Sequence, residues 1–180
     1  VRVIAGSAKG VRLAAVPAGT RPLSDRAREG LFSSLGPKVV GATVLDLFAG
    51  TGATGIEALS RGAASALFVD SAPAAAKVIG ENLRRTRLQA KGTVRTQDVR
   101  RALASHLGPH DLVLMDPPYA IEPVILDGTL QDLERYGTAS ADATVVLTRD
   151  AKGYIPVVPI NWSNERRLAY GDAVVLIFRT

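Results

Sequence analysis

Asp116-Pro-Pro-Tyr119 stops the apolar run Leu112 to Met115 abruptly. The run is apolar on both faces, as expected of a strand buried in a parallel sheet. Pro117 and Pro118 cannot continue a ladder, because they lack an N–H and fix φ. The chain therefore leaves the sheet as a stiff loop, displaying the Asp116 carboxylate and the Tyr119 ring at a strand's carboxyl end, where open α/β sheets bind ligands. A plain Asp-Pro turn is the competing reading of the tetrapeptide alone.

A second motif lies upstream. Asp46-Leu-Phe-Ala-Gly-Thr-Gly-Ala-Thr-Gly55 holds Gly50, Gly52 and Gly55 in G-x-G-x-x-G spacing between a predicted strand and helix. Such glycines let backbone approach a ligand closely at a helix N-terminus. Asp70 follows Gly50 by twenty residues and ends the next strand, where it could accept from a ribose diol. Asp98 follows the third strand and could accept from an adenine amino group. Two cofactor classes use this geometry, dinucleotides and S-adenosylmethionine. Asp46 separates them: a carboxylate beside the glycines repels a pyrophosphate and suits an ammonium. Each acid alone could be a cap or turn residue, but three in register with a glycine loop point to one adenosine ligand.

Positioning these groups needs a sheet with crossover helices. From Thr43 the pattern alternates strand and helix. Strands are predicted over Thr43 to Leu47, Ala66 to Val69, Thr93 to Thr96, Leu112 to Met115 and Thr144 to Leu147. Helices are predicted over Gly55 to Ser60, Pro73 to Thr86, Val99 to Leu107 and Pro123 to Tyr136. Ile155 to Pro159 is an edge strand or loop because of its prolines. Arg166 to Tyr170 and Ala173 to Phe178, joined by Gly171-Asp172, read as a hairpin. Upstream, Val1 to Ala5 and Val11 to Ala14 flank turn residues and predict another hairpin. A loop from Pro17 to Pro22 leads to a helix with Ser24 as N-cap, ending at Leu35 before Gly36-Pro37.

Composition narrows the chemistry. The 180 residues suit one core. Zero cysteines exclude disulfides and a cysteine nucleophile, and His106 and His110 lack ligand spacing, so no metal is expected. Both histidines flank Gly108-Pro109 and are expected on a surface loop. No apolar run is long enough for a membrane span and no secretory leader is visible, so a cytoplasmic protein is expected. Residues 1–40 carry seven Lys and Arg against two acids, while the other 140 residues carry 15 of each sign. The charge of +5 therefore lies wholly in the first fifth, as in a phosphate-facing extension (1–40) on a neutral domain (41–180).

With these motifs in place, the chain resembles class I S-adenosylmethionine-dependent methyltransferases. Asp116-Pro-Pro-Tyr119 matches the D/N-P-P-Y/F signature of those that methylate exocyclic amines of nucleobases. Arg21-Pro-Leu-Ser-Asp-Arg-Ala-Arg-Glu-Gly-Leu-Phe32, Asp46 to Gly52 and Glu57-Ala-Leu-Ser-Arg-Gly62 are similar to the bacterial family that makes N2-methylguanine at guanine 966 of 16S ribosomal RNA. Leu23 departs from that family's pattern, which has threonine or another polar residue there.

The resemblance implies a three-layer Rossmann-like α/β fold: a sheet of about seven strands, parallel except near the C-terminal hairpin, with an N-terminal hairpin and helix. It implies S-adenosyl-L-methionine against Asp46, Phe48, Ala49, Gly50, Gly52, Gly55, Asp70 and Asp98, with Ser24 and Arg26 closing over its carboxylate. Asp116 and Pro117 would accept the amine's N–H groups, Pro118 would stiffen the loop and Tyr119 would stack on the base. The partner implied is 16S ribosomal RNA in the small subunit, met by a monomer through Arg2, Lys9, Arg12, Arg21, Arg28, Arg84, Arg85 and Arg87. For the last three, cations opposing a helix dipole are the competing explanation. The remaining alternatives are a DNA adenine-N6 or cytosine-N4 methyltransferase, a non-catalytic RNA-binding assembly factor, and an NAD-dependent oxidoreductase.

Overall fold

A computed structural model describes residues 1–16 and 22–180. Strands β1 (Thr43–Leu47), β2 (Ser65–Asp70), β3 (Gly92–Thr96), β4 (His110–Met115) and β5 (Ala139–Asp150) are joined by helices α2 (Ala53–Ser60), α3 (Pro73–Arg85), α4 (Val99–Ala104) and α5 (Pro123–Arg135). Helix α1 (Asp25–Leu35) precedes them, and strands β6 (Ser163–Tyr170) and β7 (Ala173–Arg179) follow. The sheet order is β3-β2-β1-β4-β5-β7-β6, with the first five strands parallel and β7 antiparallel to both neighbours. The order reverses between β1 and β4, so their carboxyl ends, which carry the glycine loop and Asp116, sit side by side.

Alternation along the strands divides the core into two layers. Val44, Leu112, Leu114 and Val146 pack with α1, α2 and α3 through Leu31, Ile56 and Ile79. Leu45, Leu47, Val113, Met115, Val145 and Leu147 pack with α4 and α5 through Leu103, Leu126 and Leu130. Residues of the N-terminal stretch, Val3 and Ala8, belong to the first layer.

The N-terminal hairpin is minimal. Its backbone bonds run from Val3 N to Val11 O (3.0 Å), Gly10 N to Val3 O (2.8 Å) and Leu13 N to Val1 O (3.0 Å), with one ladder bridge between Arg2 and Arg12. What holds it is the domain beneath. Buried Glu57 accepts from Ile4 N (2.8 Å), Ala5 N (3.1 Å) and Arg61 Nε (2.7 Å), while Ser60 Oγ accepts from Ala8 N and donates to Ala5 O. Glu57→Ala strips three donors of their acceptor. A loss of about 3 kcal/mol or more is expected in urea unfolding, as for breaking a buried pair, with faster hydrogen exchange at Ile4 and Ala5.

Two features differ from expectation, and one expectation is not tested. The predicted loop at Pro17 to Pro22 falls, except for Pro22, outside the described residues. His110 is not a loop residue: it opens β4, is buried, and has its imidazole pKa lowered by desolvation, while only His106 is exposed, set edge-on to Tyr136. Helix α4 is shorter than predicted, because Ser105 caps it and His106 turns to positive φ.

Candidate active site

The carboxyl ends of β1, β2, β4 and β5 open into one cavity of about 960 Å³. Its first wall is the glycine loop. Phe48 (φ 57°), Gly50 (φ 56°) and Gly52 (φ 75°) all take left-handed backbone, which turns the chain sharply out of β1 and into α2. Gly50 N donates to Asp70 Oδ2 (2.9 Å), whose other oxygen accepts from Ala72 N (2.9 Å). From below, buried Asn82 donates to Thr51 O (2.9 Å) and exchanges two bonds with Ala14, so one amide ties the loop to the N-terminal segment.

Asp46 sits beneath the loop, 2% exposed, and Oδ2 accepts from Gly55 N (2.9 Å). Burial pushes its pKa well above the usual carboxylate range, against the pull of the Gly55 N–H, and the charges of Asp116 and Asp70 push it further. A cationic group in the cavity would reverse that penalty. Asp98 lines the cavity and also caps α4, accepting from Arg101 N (3.0 Å). Asp70, which bonds into the turn before α3, and Asp98, which caps α4, thus combine a local structural role with a place in the wall.

The second wall is the loop after β4. Asp116, Pro117, Pro118 and Tyr119 all line the cavity. Desolvation raises the Asp116 pKa to about 7, against the attraction of nearby Arg149. Among the described residues, neither the Asp116 carboxylate nor the Pro117 carbonyl accepts a hydrogen bond, whereas the Pro118 carbonyl takes one from Ile121 N (3.0 Å). Both lining residues therefore keep an acceptor unengaged among the described residues. Tyr119 stands half exposed at its mouth.

A model of the family described as "Conserved hypothetical protein 95" matches residues 1–179. The Escherichia coli protein named "Ribosomal RNA small subunit methyltransferase D" is 34% identical over 180 residues, covering 99% of this chain and 89% of that protein. The chain belongs to this family. Its architecture matches the solved structure "Putative methyltransferase yhhF from Escherichia coli" at a TM-score of 0.89, with 35% identity, 99% of this chain and 97% of that one covered. The S-adenosyl-L-homocysteine complex of an RNA methyltransferase from Salinibacter ruber shares the fold at a TM-score of 0.68, with 16% identity and 88% and 93% coverage. The cavity wall sets a buried carboxyl group at Asp46, the glycine loop and further acids at Asp70 and Asp98 around one space, a donor set that would fit the ammonium, ribose and adenine of S-adenosyl-L-methionine.

Most residues singled out from sequence converge here. Ser24, Asp46, Phe48, Ala49, Gly50, Asp70, Asp98 and Asp116 to Tyr119 line the cavity, while Gly52 and Gly55 shape it from behind. Arg26 is exposed on α1 and outside the wall. Arg28 corrects the RNA-facing set. It is fully buried, pairs with Asp25 (2.9 Å), donates to Arg2 O (2.6 Å), and has its pKa lowered by desolvation. Helical spacing explains this, since Arg28 shares the inward face with Leu31, Phe32 and Leu35.

Arg2, Lys9, Arg12, Arg84, Arg85 and Arg87 are exposed, Arg85 pairing with Glu81 and Arg2 standing 3.7 Å from Asp25; Arg21 lies outside the described residues. Sequence reading missed the far wall, where Thr148, Asp150, Lys152, Tyr170 and Asp172 complete the cavity. Its signal was present in the Gly171-Asp172 turn, which could only be placed at the site once β7 was known to return beside β5.

Proposed function

We propose that the protein transfers a methyl group from S-adenosyl-L-methionine to the exocyclic N2 amine of a guanine in 16S ribosomal RNA, with guanine 966 of the small subunit as the target. The observation that carries this reading is the pair of unengaged acceptors, Asp116 and Pro117, opening onto the same cavity as the acid-and-glycine wall. The name of the Escherichia coli relative supports ribosomal RNA of the small subunit as the substrate class.

The residues account for the chemistry as follows. A guanine amine is a poor nucleophile because its lone pair is delocalised into the ring. Asp116 and the Pro117 carbonyl each accept one N–H, which aims the lone pair and stabilises charge developing on nitrogen. The bound cofactor supplies an electrophilic methyl on a sulfonium, which leaves as a neutral thioether as the new C–N bond forms. The amine then sheds one proton, to Asp116 or to solvent. Tyr119 offers a stacking face for a base taken out of its own stack. Asp46 answers the cofactor's ammonium, and Asp70 and Asp98 answer its ribose and adenine. Exposed Arg2, Lys9 and Arg12 supply sequence-independent attraction to phosphate. The working form is a cytoplasmic monomer, and no metal is required.

Methyl transfer from labelled S-adenosyl-L-methionine to small subunits lacking the modification is expected to yield N2-methylguanine at one nucleotide, read by nuclease digestion and mass spectrometry. Label in adenine, or in DNA alone, sinks the substrate assignment. Subunits that bind the protein without acquiring label point instead to an assembly factor.

A further inference from the structure

Arg149 stands at the end of β5, two residues beyond Leu147 and so on the same sheet face, under the loop that leads from β4 to α5. It is 3% exposed and forms no part of the cavity wall. Its Nη1 donates to Pro118 O (3.3 Å) and its Nη2 to Tyr119 O (3.4 Å), while Nε is buried with no partner among the described residues. A buried guanidinium with one N–H unpartnered is costly, and an apolar side chain of similar volume would avoid that penalty. Burial lowers its pKa, against the charges of Asp150 and Asp116, both at the active-site end.

We propose that Arg149 is a positioning residue: from behind, its fork holds the Pro118 and Tyr119 carbonyls inward, which keeps the Asp116 carboxylate and the Pro117 carbonyl turned to the cavity. The planar fork suits two consecutive carbonyls and a lysine does not. Arg149 also acts on Asp116 through space. Burial raises the Asp116 pKa and Arg149 from β5 favours its ionised form, while the Asp116 charge in turn raises the pKa of Asp46 on β1. This role rests on the reading of the loop as an amine acceptor.

Arg149→Met and Arg149→Lys separate grip from charge. In Arg149→Met, kcat for transfer to small subunits is expected to fall at least tenfold. KM for S-adenosyl-L-methionine should stay within twofold, and Tm should be no lower than wild type. The Asp116 titration, followed by carboxyl NMR on enzyme without substrate, should move up from about 7 by about a unit or more. Arg149→Lys keeps the charge and loses the fork, so kcat should drop severalfold with the Asp116 midpoint near the wild-type value. Wild-type kcat and midpoint in Arg149→Met overturn the proposal, as does a kcat loss accompanied only by a lower Tm. If Arg149→Met does not fold, wild-type kcat in Arg149→Lys overturns it. A wild-type enzyme that methylates no subunit refutes the functional reading instead, and the NMR titration still decides whether Arg149 acts on Asp116.

Discussion

Asp116→Asn is expected to lower kcat for methyl transfer by about 10²- to 10³-fold, the range seen when one pre-aligned electrostatic partner of a transition state is removed. Asparagine keeps the shape and one acceptor oxygen, so the base can still enter. What it loses is the charge, and charge-assisted hydrogen bonds are roughly twice as strong as neutral ones. Affinity for S-adenosyl-L-homocysteine should be unchanged, because the cofactor wall is built from other strands. The same variant should be more stable than wild type at pH 8. Desolvation raises the Asp116 pKa in the folded protein to about 7, above the 3.8 of an ordinary aspartate, so the fold binds the proton more tightly than the unfolded chain. Stability from this group is therefore undiminished below pH 3.8, falls as pH rises towards 7, and stays reduced above it. With allowance for partial solvent screening, Asn should recover about 1–3 kcal/mol at pH 8 and little at pH 4, measured by urea unfolding at the two values. Transfer within threefold of wild type, or a less stable variant at pH 8, would contradict the picture of a desolvated, functionally retained carboxylate.

Much of this site was legible because its physics is local. Strand β1 has the bounds expected from Thr43 to Leu47, since its apolar run ends in glycines that no strand can absorb. Asp46 is the last residue but one of β1 and Asp70 the last of β2, Asp98 follows β3 by two residues, and Asp116 directly follows β4, where two prolines end the run. Where pairing or packing is non-local, the sequence misleads. Strand β5 runs from Ala139 to Asp150 rather than Thr144 to Leu147, because β7 pairs with its polar end from Thr148 to Asp150. Arg149, beyond the strand predicted to end at Leu147, is buried and bonds the carbonyls of the loop after β4. Arg28 reads as one of a basic cluster and lies on the inward face of α1. Asn82 and Glu57, polar residues of α3 and α2 that drew no separate expectation, are both buried because the N-terminal segment lies across them. In each case charge or polarity was visible, and the partner that reverses its meaning lies on another segment: 68 residues away for Asn82, 53 for Glu57, 31 for Arg149 and 26 for Arg28.

Gly55→Ala should reverse the usual sign of a helical glycine substitution. Replacing an interior glycine by alanine ordinarily stabilises a helix by about 1 kcal/mol. Gly80 in α3 is the matching control, because a Cβ there meets only the tip of Arg84 at 3.8 Å, and Gly80→Ala should be neutral or stabilising. At Gly55 a Cβ would overlap the ring of Phe68, which is fully buried on β2, and lie 2.8 Å from Asp46 Oδ2. Neither neighbour is the far end of a flexible chain, so the helix start must move away from the sheet. Overpacking of this kind costs about 1–3 kcal/mol, enough to cancel the propensity gain and lower Tm. The displacement also stretches the bond from Gly55 N to Asp46, which is the contact that fixes the buried carboxylate beneath the glycine loop. Binding of S-adenosyl-L-homocysteine should therefore weaken by at least tenfold in calorimetry, while Gly80→Ala binds as wild type. If Gly55→Ala binds normally, Asp46 does not depend on this helix start for its position. The glycine would then serve packing against Phe68 alone, and the third position of the G-x-G-x-x-G spacing would carry no weight in cofactor binding.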